Sequence, residues 1–191
     1  EAVVQRWLYQ IVSGLDYLHF CRFLHRDIKP ANIFMSRGSA LLGDLGMSKE
    51  VSTGVTNVHL HTQCGSPLYI APEVHMGQPY SKSVDIWSLG CTLFEVMMLD
   101  YAFRGATLAD IMRGIIHAQH QKITGSWSDG LVHILESMLL LRARDRPQTM
   151  NLVSDNYFFA VVSHPTWDVK ALRHRFFPGP DGVSTSPQLT D

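Results

Sequence analysis

Between residues 25 and 46 the chain reads His25-Arg26-Asp27-Ile28-Lys29-Pro30-Ala31-Asn32 and then, after an apolar stretch, Gly43-Asp44-Leu45-Gly46. Asp27 can accept a proton, and Lys29 places a cation two positions further on. Asn32 and Asp44 offer side-chain oxygens, which are the ligands that Mg²⁺ prefers. A proton acceptor, a cation and two oxygen ligands in this order are the groups that phosphoryl transfer requires. Catalysis of that reaction depends mainly on positioning and on charge neutralisation.

The composition indicates one globular domain. The chain has 191 residues, 46% of them hydrophobic, and a formal net charge of -1, which gives no basic excess for a nucleic-acid partner. Cys21, Cys64 and Cys91 are widely spaced, as in proteins with reduced thiols in the cytosol. The most apolar stretch, residues 86–99, contains Glu95 and is too short to span a bilayer. We therefore expect a cytoplasmic protein without a membrane segment.

Hydrophobic spacing predicts a mainly helical chain with one short hairpin. A first helix ends near His19, because apolar residues recur along it at helical spacing: Val4, Trp7, Leu8, Ile11, Leu15 and Leu18. Two apolar strands, residues 33–35 and 40–42, flank Ser36-Arg37-Gly38-Ser39 and predict the hairpin. Residues 47–64 have no clear period and read as a loop.

Helices are also predicted in the second half of the chain. Residues 84–98 are apolar nearly all round, which is typical of a buried central helix. Thr107 and Asp110 have the spacing of a capping box at the start of another helix. We expect Asp129 to cap the next one.

The stretch from His25 to Asn32 and the string Gly43-Asp44-Leu45-Gly46 resemble the catalytic loop and metal-binding segment of eukaryotic protein kinases. The resemblance implies a mainly α fold, the kinase C-terminal lobe, which is a helical bundle with a short β-hairpin at the catalytic cleft. It implies that residues 1–158 form this partial kinase domain. Residues 159–191 would be a C-terminal extension, disordered from about residue 177.

The resemblance also implies the catalytic roles and the cofactors, ATP and Mg²⁺. Asp27 would accept the proton of the substrate hydroxyl, and Lys29 would offset charge at the transferred phosphate. Asn32 and Asp44 would hold Mg²⁺. Lys29, Asn32, Phe34 and Asp44 would together contact the bound nucleotide. In having a Lys two residues after the catalytic Asp, the sequence resembles serine/threonine kinases. The resemblance therefore implies that the substrate is a protein with a Ser or Thr acceptor.

Four further residues would have structural roles by the same resemblance. His25 would pack in the core, and Asp85 in the motif Asp85-Ile86-Trp87-Ser88-Leu89-Gly90 would secure the backbone of the catalytic loop. Glu73 in Ala71-Pro72-Glu73 would pair with Arg146.

Regulation would involve the loop between Asp44 and Glu73. By resemblance Arg26 reaches towards this loop, and Ser66 bonds Asp27 and Lys29. Thr62 is the expected phosphorylation site, four residues before Ser66, and an upstream activating kinase would then be a further partner. The alternative is that Thr62 is an exposed loop residue without a partner.

Within the kinases, the chain resembles the NIMA-related group. The supporting features are Leu45 in place of the usual Phe, together with Ile28 and Ala31 in the catalytic loop. This resemblance implies a cytoplasmic location with association with the cytoskeleton.

No Gly-rich loop precedes the catalytic loop in this sequence, so we expect the N-terminal lobe to be absent. The chain is then a fragment of a longer kinase or a lobe-only remnant. The alternative to an enzyme is a non-catalytic, pseudokinase-like interaction module.

Overall fold

The computed structural model describes residues 1–50 and 67–154, and Thr62, Ser66 and the extension 159–191 lie outside them. The described chain is mainly helical, with two small antiparallel sheets of two strands each. The helices are α1 Ala2–Phe20, α2 Pro72–His75, α3 Ser83–Met98, α4 Leu108–Ile116, α5 Asp129–Met138 and α6 Thr149–Val153. The strands are β1 Phe23–Leu24, β2 Ile33–Ser36, β3 Ser39–Leu42 and β4 Lys49–Glu50. The predicted mainly α fold is confirmed in this form.

Helix α1 forms because its apolar residues repeat at the helical period and bury one face. Leu8, Ile11, Val12 and Leu15 lie in the core. The helix ends at Phe20, one residue beyond the predicted end. It packs against β3 and α6, and the Thr149 hydroxyl donates to Asp16 Oδ1 at 2.6 Å.

The predicted hairpin is present as β2 and β3. Its two-residue turn is formed by Arg37 and Gly38, whose φ angles of 48° and 79° are of the kind that a tight type I′ hairpin turn requires. In the resulting register Phe34 lies opposite Leu41. The hairpin therefore brings the segment before β2 beside the segment after β3.

Helix α3 is the central helix of the core, as its apolar sequence predicts. It packs against α1 and α5, and 12 of its 16 residues are buried. Trp87 stacks on Phe103 with ring centroids 5.4 Å apart. Gly90 allows the end of α5 to approach, because a Cβ there would lie 2.9 Å from side-chain atoms of Met138 and Leu139.

The helix caps agree with the sequence in one case and differ in another. Thr107 and Asp110 form the predicted capping box at α4. The expectation that Asp129 caps α5 is wrong, because Asp129 is already the first helical residue. The cap is Ser128, which has the extended backbone of an N-cap and whose hydroxyl accepts the Leu131 N–H at 3.3 Å.

The small sheet of β1 and β4 was not predicted, because each strand has only two residues and shows no period. It pairs Phe23 with Glu50 and Leu24 with Lys49.

No helix in the described ranges has the length and apolar character needed to cross a membrane.

Candidate active site

The loop that precedes β2 is anchored by Asp85 on α3. The fully buried carboxylate accepts the His25 N–H at 3.0 Å and the Arg26 N–H at 2.8 Å. His19 Nε2 lies 2.8 Å from Asp85 Oδ2 and is the donor, since a carboxylate accepts. Arg26 has a φ of 67°, a left-handed conformation that is strained for a residue with a side chain. The predicted contact of Asp85 with the loop backbone is thus present.

Asp27, Lys29 and Asn32 come together in this loop. Lys29 Nζ donates to Asp27 Oδ2 at 2.7 Å, and Asn32 Nδ2 donates to the same oxygen at 2.8 Å. Asn32 Nδ2 also donates to the backbone carbonyl of Asp27 at 2.7 Å. Among the described residues no hydrogen bond reaches Asp27 Oδ1. Two donors therefore fix Oδ2 of this carboxylate.

Asp44 lies beside this group through the hairpin. Gly43, which precedes it, donates its N–H to the Asn32 carbonyl at 3.0 Å. Asp44 is exposed and has a left-handed backbone with a φ of 59°, and its Oδ1 accepts the Gly46 N–H at 3.2 Å. Since the Asn32 amide nitrogen is used by Asp27, its amide oxygen remains for a metal ion.

The donor set suits Mg²⁺ in a particular way. The described part of the chain contains no group of three or more His, Cys, Asp or Glu residues that could form a closed metal site. Mg²⁺ usually binds to one or two protein carboxylates and completes its shell with phosphate oxygens and water. Asn32 and Asp44 supply an amide oxygen and a carboxylate, and the residues present therefore fit the ion.

Phe34 presents apolar surface next to these polar residues. It lies on β2 opposite Leu41, and both are about half exposed, at 54% and 52%. The ring packs against Gly43. An exposed aromatic surface of this kind can stack on a planar ligand.

Arg26 and His25 connect the loop to its neighbours. Arg26 Nε donates to the Met47 carbonyl at 2.7 Å, so the side chain extends towards the segment after Asp44, as predicted. His25 is fully buried, and its Nε2 donates to the Gly43 carbonyl at 3.0 Å.

The predicted pair of Glu73 and Arg146 is present and buried. Arg146 Nη1 and Nη2 donate to the two carboxylate oxygens of Glu73 at 2.7 and 2.9 Å. The guanidinium also donates to backbone carbonyls of Leu140, Leu141 and Ser83. It lies 4.9 Å from the ring centroid of Trp87. The pair thus connects α2 with the segment between α5 and α6.

Two features of the site region were missed from the sequence. His19 was predicted only as the end of a helix, although it bonds Asp85. Tyr69 donates its hydroxyl to Glu95 on α3, and Ser88 donates its hydroxyl to the Tyr69 carbonyl at 2.7 Å. Burial, and then the contact with Glu95, raise the pKa of the Tyr69 phenol far above its ordinary value. The contact of Tyr69 had one signal in the sequence, which was Glu95, a charged residue inside an apolar helix.

Comparison with known proteins places these residues in a family. Residues 1–158 match the protein kinase domain. Serine/threonine-protein kinase Nek5 of Homo sapiens is 35% identical over 156 residues, which cover 80% of this chain and 22% of that protein. Kinase nekl-2 of Caenorhabditis elegans is 34% identical, with coverages of 81% and 43%. Nek1 of Mus musculus is 32% identical, with coverages of 82% and 13%.

The chain thus spans less than half of the length of each of these relatives. The Nek kinases among them confirm the resemblance to the NIMA-related group. The matched residues include the anchored loop, the hairpin, Asp44 and the buried pair of Glu73 and Arg146. The chain therefore belongs to the protein kinase family, in its serine/threonine class.

Proposed function

We propose that this chain is the C-terminal lobe of a protein kinase that transfers the γ-phosphate of ATP to Ser or Thr hydroxyls of protein substrates. The observation that carries the proposal is the state of the Asp27 carboxylate. Its Oδ2 is held by Lys29 and Asn32 at 2.7 and 2.8 Å, which leaves Oδ1 to accept the hydrogen of a substrate hydroxyl.

Charge and geometry give each neighbour a separate task. Lys29 lies beside Asp27, and its side chain is 25% exposed. Its ammonium group can therefore rotate towards a phosphate oxygen while the backbone of the loop stays in place. Asn32 and Asp44 would hold Mg²⁺, which when bound neutralises charge on the phosphate oxygens. Phe34 would contact the base of ATP. The chain's own contribution is to orient the acceptor hydroxyl and to take its proton.

The proposal includes the wider assignments. Residues 1–158 are the lobe, and residues 159–191 are a C-terminal extension. The protein acts in the cytoplasm, and an upstream kinase acts on the loop between Asp44 and Glu73. Membership of the serine/threonine kinases supports a protein substrate. The location, the extension and the upstream kinase rest on the sequence resemblance.

The test is phosphate transfer from labelled ATP to dephosphorylated casein by the protein in its full natural length. Asp27→Asn keeps the shape of the side chain but removes the base, so we expect turnover to fall by about a hundred-fold or more. Asp145→Asn, at an exposed position, is the matched control and should leave turnover unchanged.

Asp44→Ala should instead raise the Mg²⁺ concentration required for nucleotide binding by about ten-fold or more. If Asp27→Asn retained near-full turnover, the role of Asp27 would be wrong. If the parent protein transferred no phosphate and bound no Mg²⁺ with nucleotide, the non-catalytic interaction module would replace the proposal.

A further inference from the structure

The backbone of Gly43 is held on both sides. Its N–H donates to the Asn32 carbonyl at 3.0 Å, and its own carbonyl accepts from His25 Nε2 at 3.0 Å. His25 is fully buried, so it cannot follow a large displacement of this carbonyl. A substitution at Gly43 therefore cannot be accommodated by moving the backbone without disturbing Asn32 or His25.

The strand register places Gly43 on the same face as Phe34. Phe34 is paired with Leu41, and successive residues of a strand point to opposite faces. Gly43 follows Leu41 by two positions and is thus a diagonal neighbour of Phe34, within reach of an aromatic side chain. A Cβ at Gly43 would lie 2.6 Å from Phe34 Cε2 and 2.7 Å from Cδ2. The ring occupies the space that any side chain at position 43 would need.

We infer that Gly43 is a positioning residue for nucleotide recognition, which acts by letting the Phe34 ring lie against the backbone directly before Asp44. The inference rests on the proposed function and deepens it. The half-exposed ring becomes a platform for the planar purine base at a fixed place relative to Asn32 and Asp44. Any larger residue at position 43 displaces the ring, because the backbone on both sides is bonded.

The test uses adenosine without Mg²⁺, because adenosine has no phosphates and its binding does not involve the metal ligands. The affinity is measured by isothermal titration calorimetry on the protein in its full natural length. Thermal unfolding of the unliganded protein provides a second readout. We expect Gly43→Ala to weaken adenosine binding by about ten-fold, a factor comparable to the loss of one stacked base.

Phe34→Ala removes every ring atom near Gly43. We expect it to weaken adenosine binding at least as much as Gly43→Ala, and we expect the double variant to match Phe34→Ala alone. The unfolding midpoint should be lowered by Gly43→Ala, and the double variant should have the midpoint of Phe34→Ala alone, because the clash needs both the Cβ and the ring. Gly14→Ala is the matched control on α1, since a Cβ there would meet only the Leu42 Cβ at 3.9 Å. It should leave adenosine affinity unchanged.

The results separate this inference from the proposed function. If the parent protein phosphorylates casein but binds no adenosine, the inference is overturned and the proposed function stands. If it neither phosphorylates casein nor binds adenosine, both are overturned. If the parent binds and Gly43→Ala binds equally well, the inference alone is overturned. Losses that simply add in the double variant also overturn it. If Gly43→Ala unfolds the protein, Phe34→Ala must restore the fold, and failure to do so is a further contrary result.

Discussion

Asp85 holds Arg26 in a left-handed backbone conformation. Arg26 has a φ of 67°, and its N–H donates to Asp85 Oδ1 at 2.8 Å. The other oxygen of Asp85 accepts from the His25 N–H and from His19 Nε2. Asp27 is the next residue in the chain. A buried carboxylate on the central helix thus sets the backbone conformation directly before the candidate catalytic residue.

Replacement of Asp85 by Asn should destabilise the loop. Three donors face the carboxylate, and an amide offers one oxygen and an NH₂ group, so at least one donor loses its acceptor. We expect a loss of about 1–3 kcal/mol in the free energy of unfolding, measured by urea denaturation. Amide hydrogen exchange at His25 and Arg26 should accelerate. The exposed Asp129→Asn is the control, and equal effects of the two variants would contradict this account.

The buried pair of Glu73 and Arg146 should show a strong asymmetry between single and double variants. Glu73→Met leaves the guanidinium buried without its carboxylate, which should cost about 3–5 kcal/mol in the free energy of unfolding. Adding Arg146→Met should recover only part of this loss. The reason is that backbone carbonyls of Leu140 and Leu141 then lose their donor as well.

The control for this pair is Arg144→Met, at a side chain that is 78% exposed. We expect its unfolding free energy to change by less than about 1 kcal/mol, as for most surface ion pairs. A similarly small effect of Glu73→Met in urea denaturation would show that the buried pair does not stabilise the domain.

The sequence predicted the parts of this structure that have a local cause. The first helix, the hairpin and the capping box of Thr107 follow from periodicity and short-range hydrogen bonds. The cap at Ser128 was missed by one residue, because neighbouring Ser and Asp side chains are both good caps and only the backbone decides between them.

Contacts between distant residues required more than local pattern. The pairing of Glu73 with Arg146 was expected only from family resemblance, since nothing local connects residues so far apart. The bond of His19 to Asp85 and that of Tyr69 to Glu95 were not predicted at all. The contact of Phe34 with Gly43 depends on hairpin register, which the sequence alone did not fix to one residue.

Tyr69→Phe should change how stability depends on alkaline pH. Burial, followed by the contact with Glu95, raises the pKa of Tyr69 far above its ordinary value. The folded state thus keeps the phenol protonated where the unfolded state releases the proton, above about pH 10. Stability from this group is complete below that pH and falls as pH rises further. The variant should lose less stability between about pH 8 and pH 11, measured by urea denaturation at each pH.

Tyr101→Phe is the comparison for this experiment, because Tyr101 is 44% exposed and contributes less to the raised pKa of Tyr69 than burial and Glu95 do. It should retain most of the parent's decline in stability with rising pH. If Tyr69→Phe and the parent declined equally, burial of the Tyr69 phenol would not be what resists its ionisation.

Phosphorylation of Thr62 should act through Arg26. Arg26 already extends towards the segment after Asp44, where its Nε donates to the Met47 carbonyl at 2.7 Å. Thr62 itself lies outside the described residues and is placed by the sequence between Asp44 and Glu73. A phosphate there would bring close to two negative charges to the loop. Charge-assisted hydrogen bonds to the guanidinium would then order the loop next to Asp27 and raise phosphate transfer.

The measurement is casein phosphorylation by the full-length protein carrying Thr62→Ala, Arg26→Ala or both, after treatment with an activating kinase. Thr62→Ala and Arg26→Ala remove the same interaction, between the phosphate and the guanidinium. We therefore expect each single variant to lose about ten-fold or more in activity and the double variant to lose little beyond that. Arg26→Lys should recover only part of the activity, since an ammonium cannot form the bidentate contact with a phosphate that a guanidinium can. Losses that multiply in the double variant would mean that Thr62 and Arg26 act independently, with a regulatory phosphate bound elsewhere.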